Sequence, residues 1–89
     1  MTGIQVFYEG RVQGVGFRYS VKELARGFEI TGWVRNLRDG RVELQVCGQE
    51  NEVIEFLEEI LKSHLKGHIK RREVHSIESF QAKGFEILA

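Results

Sequence analysis

A chain of 89 residues has room for one hydrophobic core, and residues 1–89 are expected to form a single domain. Hydrophobic residues make up 42% and charged residues 29%, a mixture too apolar for intrinsic disorder. Thirteen Lys and Arg balance thirteen Asp and Glu, so the net charge is zero, which argues against a protein that grips DNA or membranes by broad phosphate neutralisation.

No apolar run exceeds three residues, so no segment reads as a membrane span, and the N-terminus carries no signal-peptide core. The single cysteine, Cys47, forms neither an internal disulfide nor a thiolate metal site. These features point to a cytoplasmic protein with no membrane partner, and a monomer is the default expectation.

Proline is absent, so glycine provides most of the punctuation. Residues 4–11 alternate Ile4, Val6 and Tyr8 against Gln5, Glu9 and Arg11, which predicts a half-buried strand despite Phe7. Gln13-Gly14-Val15-Gly16 breaks that pattern. From Phe17 the apolar residues recur as Phe17, Val21, Leu24, Ala25 and Phe28, a helical stripe ending near Gly27. Residues 30–37 and 41–47 read as strands joined by a hairpin at Asp39-Gly40. In the second of these, Val42, Leu44 and Val46 alternate with Glu43, Gln45 and Cys47.

Residues 51–65 predict the strongest helix, with a core stripe of Ile54, Leu57, Leu61 and Leu65 widened by Val53, Phe56 and Ile60. Residues 68–78 read as a strand and Phe85-Glu86-Ile87-Leu88 as a possible edge strand. The order β-α-β-β-α-β is an α+β, ferredoxin-like split βαβ sandwich, an antiparallel sheet with both helices on one face. That fold serves many functions and does not name one.

The stretch Gly10 to Arg18 joins the first strand to the first helix. Its glycines let the backbone curl so that successive N–H groups face one concavity, an anion nest. The helix N-terminus adds unpaired donors and the positive end of its dipole. Arg18 stands in the first turn, where the dipole disfavours a cation unless an anion joins it. Without Gly-Lys-Ser or Gly-Lys-Thr the loop is not a nucleotide P-loop. A second stretch ends a strand at Asn36, whose amide either forms an Asx turn or orients a water by donating and accepting.

The two stretches resemble the signatures of the acylphosphatase family. The first runs Tyr8-Glu9-Gly10-Arg11-Val12-Gln13-Gly14-Val15-Gly16-Phe17-Arg18, departing only at Tyr8, where the family carries an aliphatic residue. The second is Gly32-Trp33-Val34-Arg35-Asn36 followed by Gly40, Val42 and Gly48. The resemblance implies hydrolysis of the carboxyl-phosphate bond of acyl phosphates without metal or other cofactor. It implies that Gln13, Gly14, Val15, Gly16, Phe17 and Arg18 form the substrate phosphate-binding loop. Arg18 and Asn36 would be the catalytic pair, Arg18 anchoring phosphate and Asn36 positioning the attacking water. Inorganic phosphate is then both product and competitive inhibitor. Departures elsewhere are Arg38 in place of a hairpin proline and the missing Gly-Pro around Gly67.

Other signals are weaker. His64 and His68 have an i, i+4 spacing but no third ligand. Lys70-Arg71-Arg72, with Lys66 and His68 nearby, is a local basic run of the kind that is usually solvated. Cys47 reads as a partly buried apolar residue and Trp33 as packing. An RNA-binding module is the alternative from another class; Phe7 offers one stacking aromatic, but residues 41–47 contain none, so half of that platform is missing and no nucleic-acid partner is expected. A catalytically silent anion-binding domain is a further alternative.

Overall fold

The computed structural model describes residues 1–89. The chain runs β1 (Thr2–Gly10), α1 (Phe17–Ala25), β2 (Ile30–Asn36), β3 (Val42–Gly48), α2 (Glu50–Lys62), β4 (Ile69–Ile77) and β5 (Phe85–Ile87). A 3₁₀ turn, His64–His68, separates α2 from β4. The strands form one sheet in the order β4-β1-β3-β2-β5. The ferredoxin-like βαββαβ arrangement is present, with the C-terminal tail as a fifth strand.

The sheet is mixed rather than antiparallel. β1 pairs antiparallel with both β3 and β4, and β2 pairs antiparallel with β3, but β5 runs parallel to β2. The chain path explains this. β4 starts at the end of the sheet where β1 and β2 finish, so it finishes at the opposite end. From there the chain crosses to the far edge and must run back, parallel to β2. Bonds from Gly32 N to Gly84 O (3.0 Å) and from Leu88 N to Val34 O (2.9 Å) bracket this strand. The crossover therefore delivers the C-terminus to the end of the sheet that carries the β1–α1 loop.

One face of the sheet holds the core. Val6, Tyr8, Val34, Val42, Leu44 and Val46 pack against Phe17, Val21 and Ala25 of α1 and Val53, Phe56, Leu57 and Ile60 of α2. Each Val, Leu, Ile or Phe among them contributes about 1.5–3 kcal/mol on full burial. The stripe of α2 is rotated from the expected one: Ile54 is 45% exposed and Leu61 only half-buried. Phe56 decides the orientation, because its ring meets both Phe28 and Phe85 at 5.8 Å. The helix also stops at Lys62 rather than 65. Ser63 turns extended, and its Oγ accepts from Leu65 N at 3.1 Å to start the 3₁₀ turn that buries Leu65.

α1 likewise stops at Ala25. Arg26, Gly27 and Phe28 donate to Glu23, Leu24 and Ala25, so the last turn tightens to i, i−3 bonds. Phe28 leaves the helix and reaches Phe56 from the loop.

The opposite face of β3 is drier than its alternation suggests. Glu43 is 4% exposed and Cys47 1%. β3 is flanked by β1 and β2, so side chains from both sides cover it. Glu43 Oε2 accepts from Gln5 Nε2 at 2.6 Å and Gln45 Nε2 at 3.2 Å, while Oε1 accepts from Arg35 Nε at 2.9 Å. Burial pushes this carboxyl up, but the three donors and the Arg35 charge outweigh it and hold it below its ordinary range. The aromatics here lie under cations, Trp33 under Arg35 at 5.1 Å and Phe7 under Arg41 at 4.6 Å. His75 also meets the Phe7 edge at 5.9 Å.

Candidate active site

Gly14 and Gly16 adopt φ of +76° and +75°, the left-handed conformation that L side chains avoid. A Cβ at either position would meet no atom within 4 Å, so the requirement for glycine is conformational and the space above the loop is open. Gly16 caps α1 without any side-chain hydrogen bond, and the first helical turn has no acidic residue. The first α-type bond is Ser20 N to Gly16 O at 3.0 Å. The backbone N–H groups from Gln13 through Tyr19 consequently have no protein acceptor. Unpaired amides in a run, at the positive end of a helix, form a built anion cradle.

The cradle opens into a concavity of about 160 Å³ bounded by Gly14, Gly16, Phe17, Arg18, Tyr19 and Ile87. Val12 and Phe17, both 1% exposed, hold the loop down from beneath. Tyr8 packs on Phe17 with ring centroids 5.3 Å apart. The tyrosine hydroxyl is buried without a hydrogen-bond partner; burial pushes its pKa up and nearby Arg72 opposes the shift. It serves as an aromatic floor beneath Phe17.

Arg18 is half-buried, and its guanidinium donates to Leu88 O at 3.4 Å. Leu88 N in turn donates to Val34 O on β2. The C-terminal tail is thus a bracket linking Arg18 to the strand that ends in Asn36. Nothing local in the sequence announces this bracket; the apolar spacing of Phe85, Ile87 and Leu88 shows only that the tail packs.

Asn36 closes β2 opposite Val42 of β3. Two residues beyond the buried Val34, it points to the same face, toward α1. Its Oδ1 is buried without a hydrogen-bond partner. The Asx turn in this hairpin belongs to Asp39, whose Oδ1 accepts from Arg41 N at 3.1 Å and whose Oδ2 accepts from Arg41 Nε at 2.9 Å. Those bonds hold the Asp39 carboxyl below its ordinary value. Asn36 is therefore free of the turn and keeps an unpartnered acceptor. Gln13 ties the loop to the same corner, donating from Nε2 to Leu37 O at 2.7 Å and to Arg41 O at 3.0 Å.

The fold thus gathers Gln13 to Arg18 and Asn36 at one end of the sheet; Val15, 39% exposed, stands at the loop's outer edge. His64 and His68 stand outside this group, in the 3₁₀ turn that leads into β4, where three residues per turn separate i from i+4. His64 instead shares a 3.2 Å hydrogen bond with Ser20.

Fold and loop together define a small α+β domain built around an anion cradle at a helix N-terminus. Comparison with known proteins extends this. The acylphosphatase family model matches residues 4–87. An acylphosphatase of Methanospirillum hungatei is 39% identical over 87 residues, covering 98% of this chain and 93% of that protein. The solved acylphosphatase structure from Bacillus subtilis superposes with a TM-score of 0.88 at 34% identity, each chain covered completely. That from Coxiella burnetii gives 0.86 at 32% identity, over 98% of this chain and 92% of the other. The chain belongs to the acylphosphatase family.

Proposed function

We propose that the protein is a single-domain, monomeric, cytoplasmic acylphosphatase, which splits an acyl phosphate with water into a carboxylate and inorganic phosphate. The observation that carries the mechanism is the run of unpaired N–H groups from Gln13 to Tyr19 beside Arg18, with the unpartnered Asn36 Oδ1 on the same side of the sheet.

An acyl phosphate is a mixed anhydride, and its carboxylate leaves readily, so the site needs little general-acid help. The cradle amides and the Arg18 guanidinium hold the phosphoryl oxygens. They stabilise the charge that accumulates as the P–O bond to the acyl oxygen breaks. The Leu88 carbonyl limits the rotamers of Arg18 and leaves other guanidinium donors for substrate. Asn36 accepts a hydrogen bond from water through Oδ1 and aligns it with phosphorus, a positioning effect. The water's proton passes to a phosphoryl oxygen. The bond formed is water oxygen to phosphorus, and the acyl group departs with the bridging oxygen. No step calls on a metal or cofactor.

The test is hydrolysis of benzoyl phosphate in excess EDTA, with inorganic phosphate as competitor. Chelator-insensitive turnover, inhibited competitively by phosphate, is the expected result. Phosphate binding without turnover would make the chain an anion-binding domain, and absence of both would refute the proposal.

A further inference from the structure

Most arginines of this electrically neutral chain are committed or lie at one end of it. Arg26, Arg35, Arg41 and Arg71 each sit within 4 Å of a carboxylate. Arg11, Arg18 and Arg38 have none, and all three stand where β1 and β2 finish. Lys66, His68 and Lys70 bring three more basic side chains to that end, from the 3₁₀ turn and the start of β4. The carboxylates nearest in sequence are already engaged, Asp39 with Arg41 and Glu9 with Arg71. The free acidic groups of α2, Glu55, Glu58 and Glu59, line a separate concavity together with Lys62 and Phe28.

Arg11, His68 and Lys70 share an open concavity of about 550 Å³ with Gly10, Gly67 and Ile69. Its floor is fixed by backbone. Arg11 N donates to His68 O at 2.9 Å, and Gly10, at φ +131°, lies so close that a Cβ would fall 2.4 Å from His68 O. The cations therefore project from a rigid crossing of two chain segments. Of the basic run, Arg71 turns to the opposite face and its carboxylates, leaving Lys70 to this concavity. Unpaired like charges crowded together repel unless an anion joins them.

This concavity shares no lining residue with the one at the Arg18 cradle. β2, which ends in Asn36, and β1, which leads into Arg11, are two strand steps apart with β3 between, a separation of roughly 10 Å at about 4.8 Å per step. The flexible stems of Arg11 and Lys70 are long enough to span part of that gap, leaving the length of a few-carbon acyl chain.

We propose that Arg11 and Lys70 form a second anion subsite, which selects acyl phosphates whose acyl group ends in a carboxylate or a phosphate. The inference rests on the acylphosphatase reading and adds the class of acyl group. The ligand spans two cationic sites: its phosphoryl group lies in the cradle and its distal anion between Arg11 and Lys70.

The test compares kcat/KM for acyl phosphates of matched length whose acyl chains end in methyl, carboxylate or phosphate, with benzoyl phosphate as an uncharged reference. The native enzyme prefers at least one charged acyl group to the methyl-ended one by about five- to tenfold, the worth of one or two exposed ion contacts. The better of the two charged substrates identifies the distal group, and the preference shrinks as salt is raised. In Arg11→Gln/Lys70→Gln the preference disappears while benzoyl phosphate turnover is retained, which also shows that the variant folds. Arg11→Glu places the charged substrates below the methyl-ended one. Equal kcat/KM for all three substrates in the native enzyme, or a preference that survives in the double variant, overturns the subsite alone. Failure to hydrolyse benzoyl phosphate overturns the enzymatic reading and the subsite with it.

Discussion

Replacement of Asn36 by alanine separates a catalytic role from a structural one. In the folded chain the side chain has no turn to hold, because Asp39 supplies the Asx bonds, and its Oδ1 has no protein donor. Truncation therefore breaks no hydrogen bond from that oxygen and removes a buried acceptor whose desolvation costs about 1–3 kcal/mol. Against this stands the loss of some packing at a half-buried position. The two effects oppose each other, so the net stability change should stay within about 1 kcal/mol, or roughly 4–8 °C in Tm for a domain of this size. Turnover should fall much further. A water displaced by about 1 Å costs on the order of a hundredfold, and under the proposed mechanism the water loses its acceptor altogether. The assay is benzoyl phosphate hydrolysis alongside thermal melting and the inhibition constant of inorganic phosphate. Expected are a kcat at least about a hundredfold lower, an unchanged phosphate constant and a near-native Tm. Retained turnover with a large drop in Tm would refute the reasoning and make Asn36 a structural residue.

Arg18→Gln should abolish turnover and phosphate inhibition together, since the cradle keeps its amides but loses the fixed charge, a contact worth about 1.5–3 kcal/mol per hydrogen bond; normal inhibition by phosphate in that variant would count against the anchor. Gly32→Ala should unfold the chain or lower its Tm severely. Gly32 has φ +154°, and a Cβ there would lie 2.0 Å from Gln45 O in the middle of the β2–β3 ladder, so a near-native melting curve would contradict the register described here. Glu43 makes stability pH-dependent in a defined direction. Its folded carboxyl titrates below its ordinary value of 4.5, so its contribution is complete above that pH and is lost as the pH falls through the folded value. Urea unfolding from pH 7 to pH 3 should therefore show an acid-side loss that Glu43→Gln diminishes, and identical slopes in the two proteins would exclude Glu43 as the source.

Much of the molecule was legible as local pattern. Alternation in Val42, Leu44 and Val46, the Asp39-Gly40 turn and the Phe17, Val21, Ala25 stripe each depend on neighbours within one element, so their periods survive in the sequence. The cradle was legible for the same reason: Gly14 and Gly16 are conformational requirements of the loop itself, and the observed φ values near +75° are the expected kind. Arg18 at the first turn of α1 follows from the same local rule. Helix limits were less legible, because Ser63 and Phe28 answer to distant partners. Phe28 leaves α1 for Phe56, and Ser63 breaks α2 so that Leu65 enters the core.

Tertiary structure alone decided the remainder, wherever a group's environment is assembled from separate elements. Alternation places Glu43 on the polar face of β3, but only flanking strands that contribute Gln5 and Arg35 make it a buried, satisfied carboxylate. Asn36 at a strand end permits either a turn or an unpartnered acceptor, and the choice fell to Asp39 taking the turn. The return of β5 beside β2 brings the Leu88 carbonyl to Arg18 across 70 positions of sequence. Chain periodicity reports which side of an element is wet; it carries no information about which other element arrives there, and on that depend the setting of Arg18, the free oxygen of Asn36 and the crowding of Arg11 with Lys70.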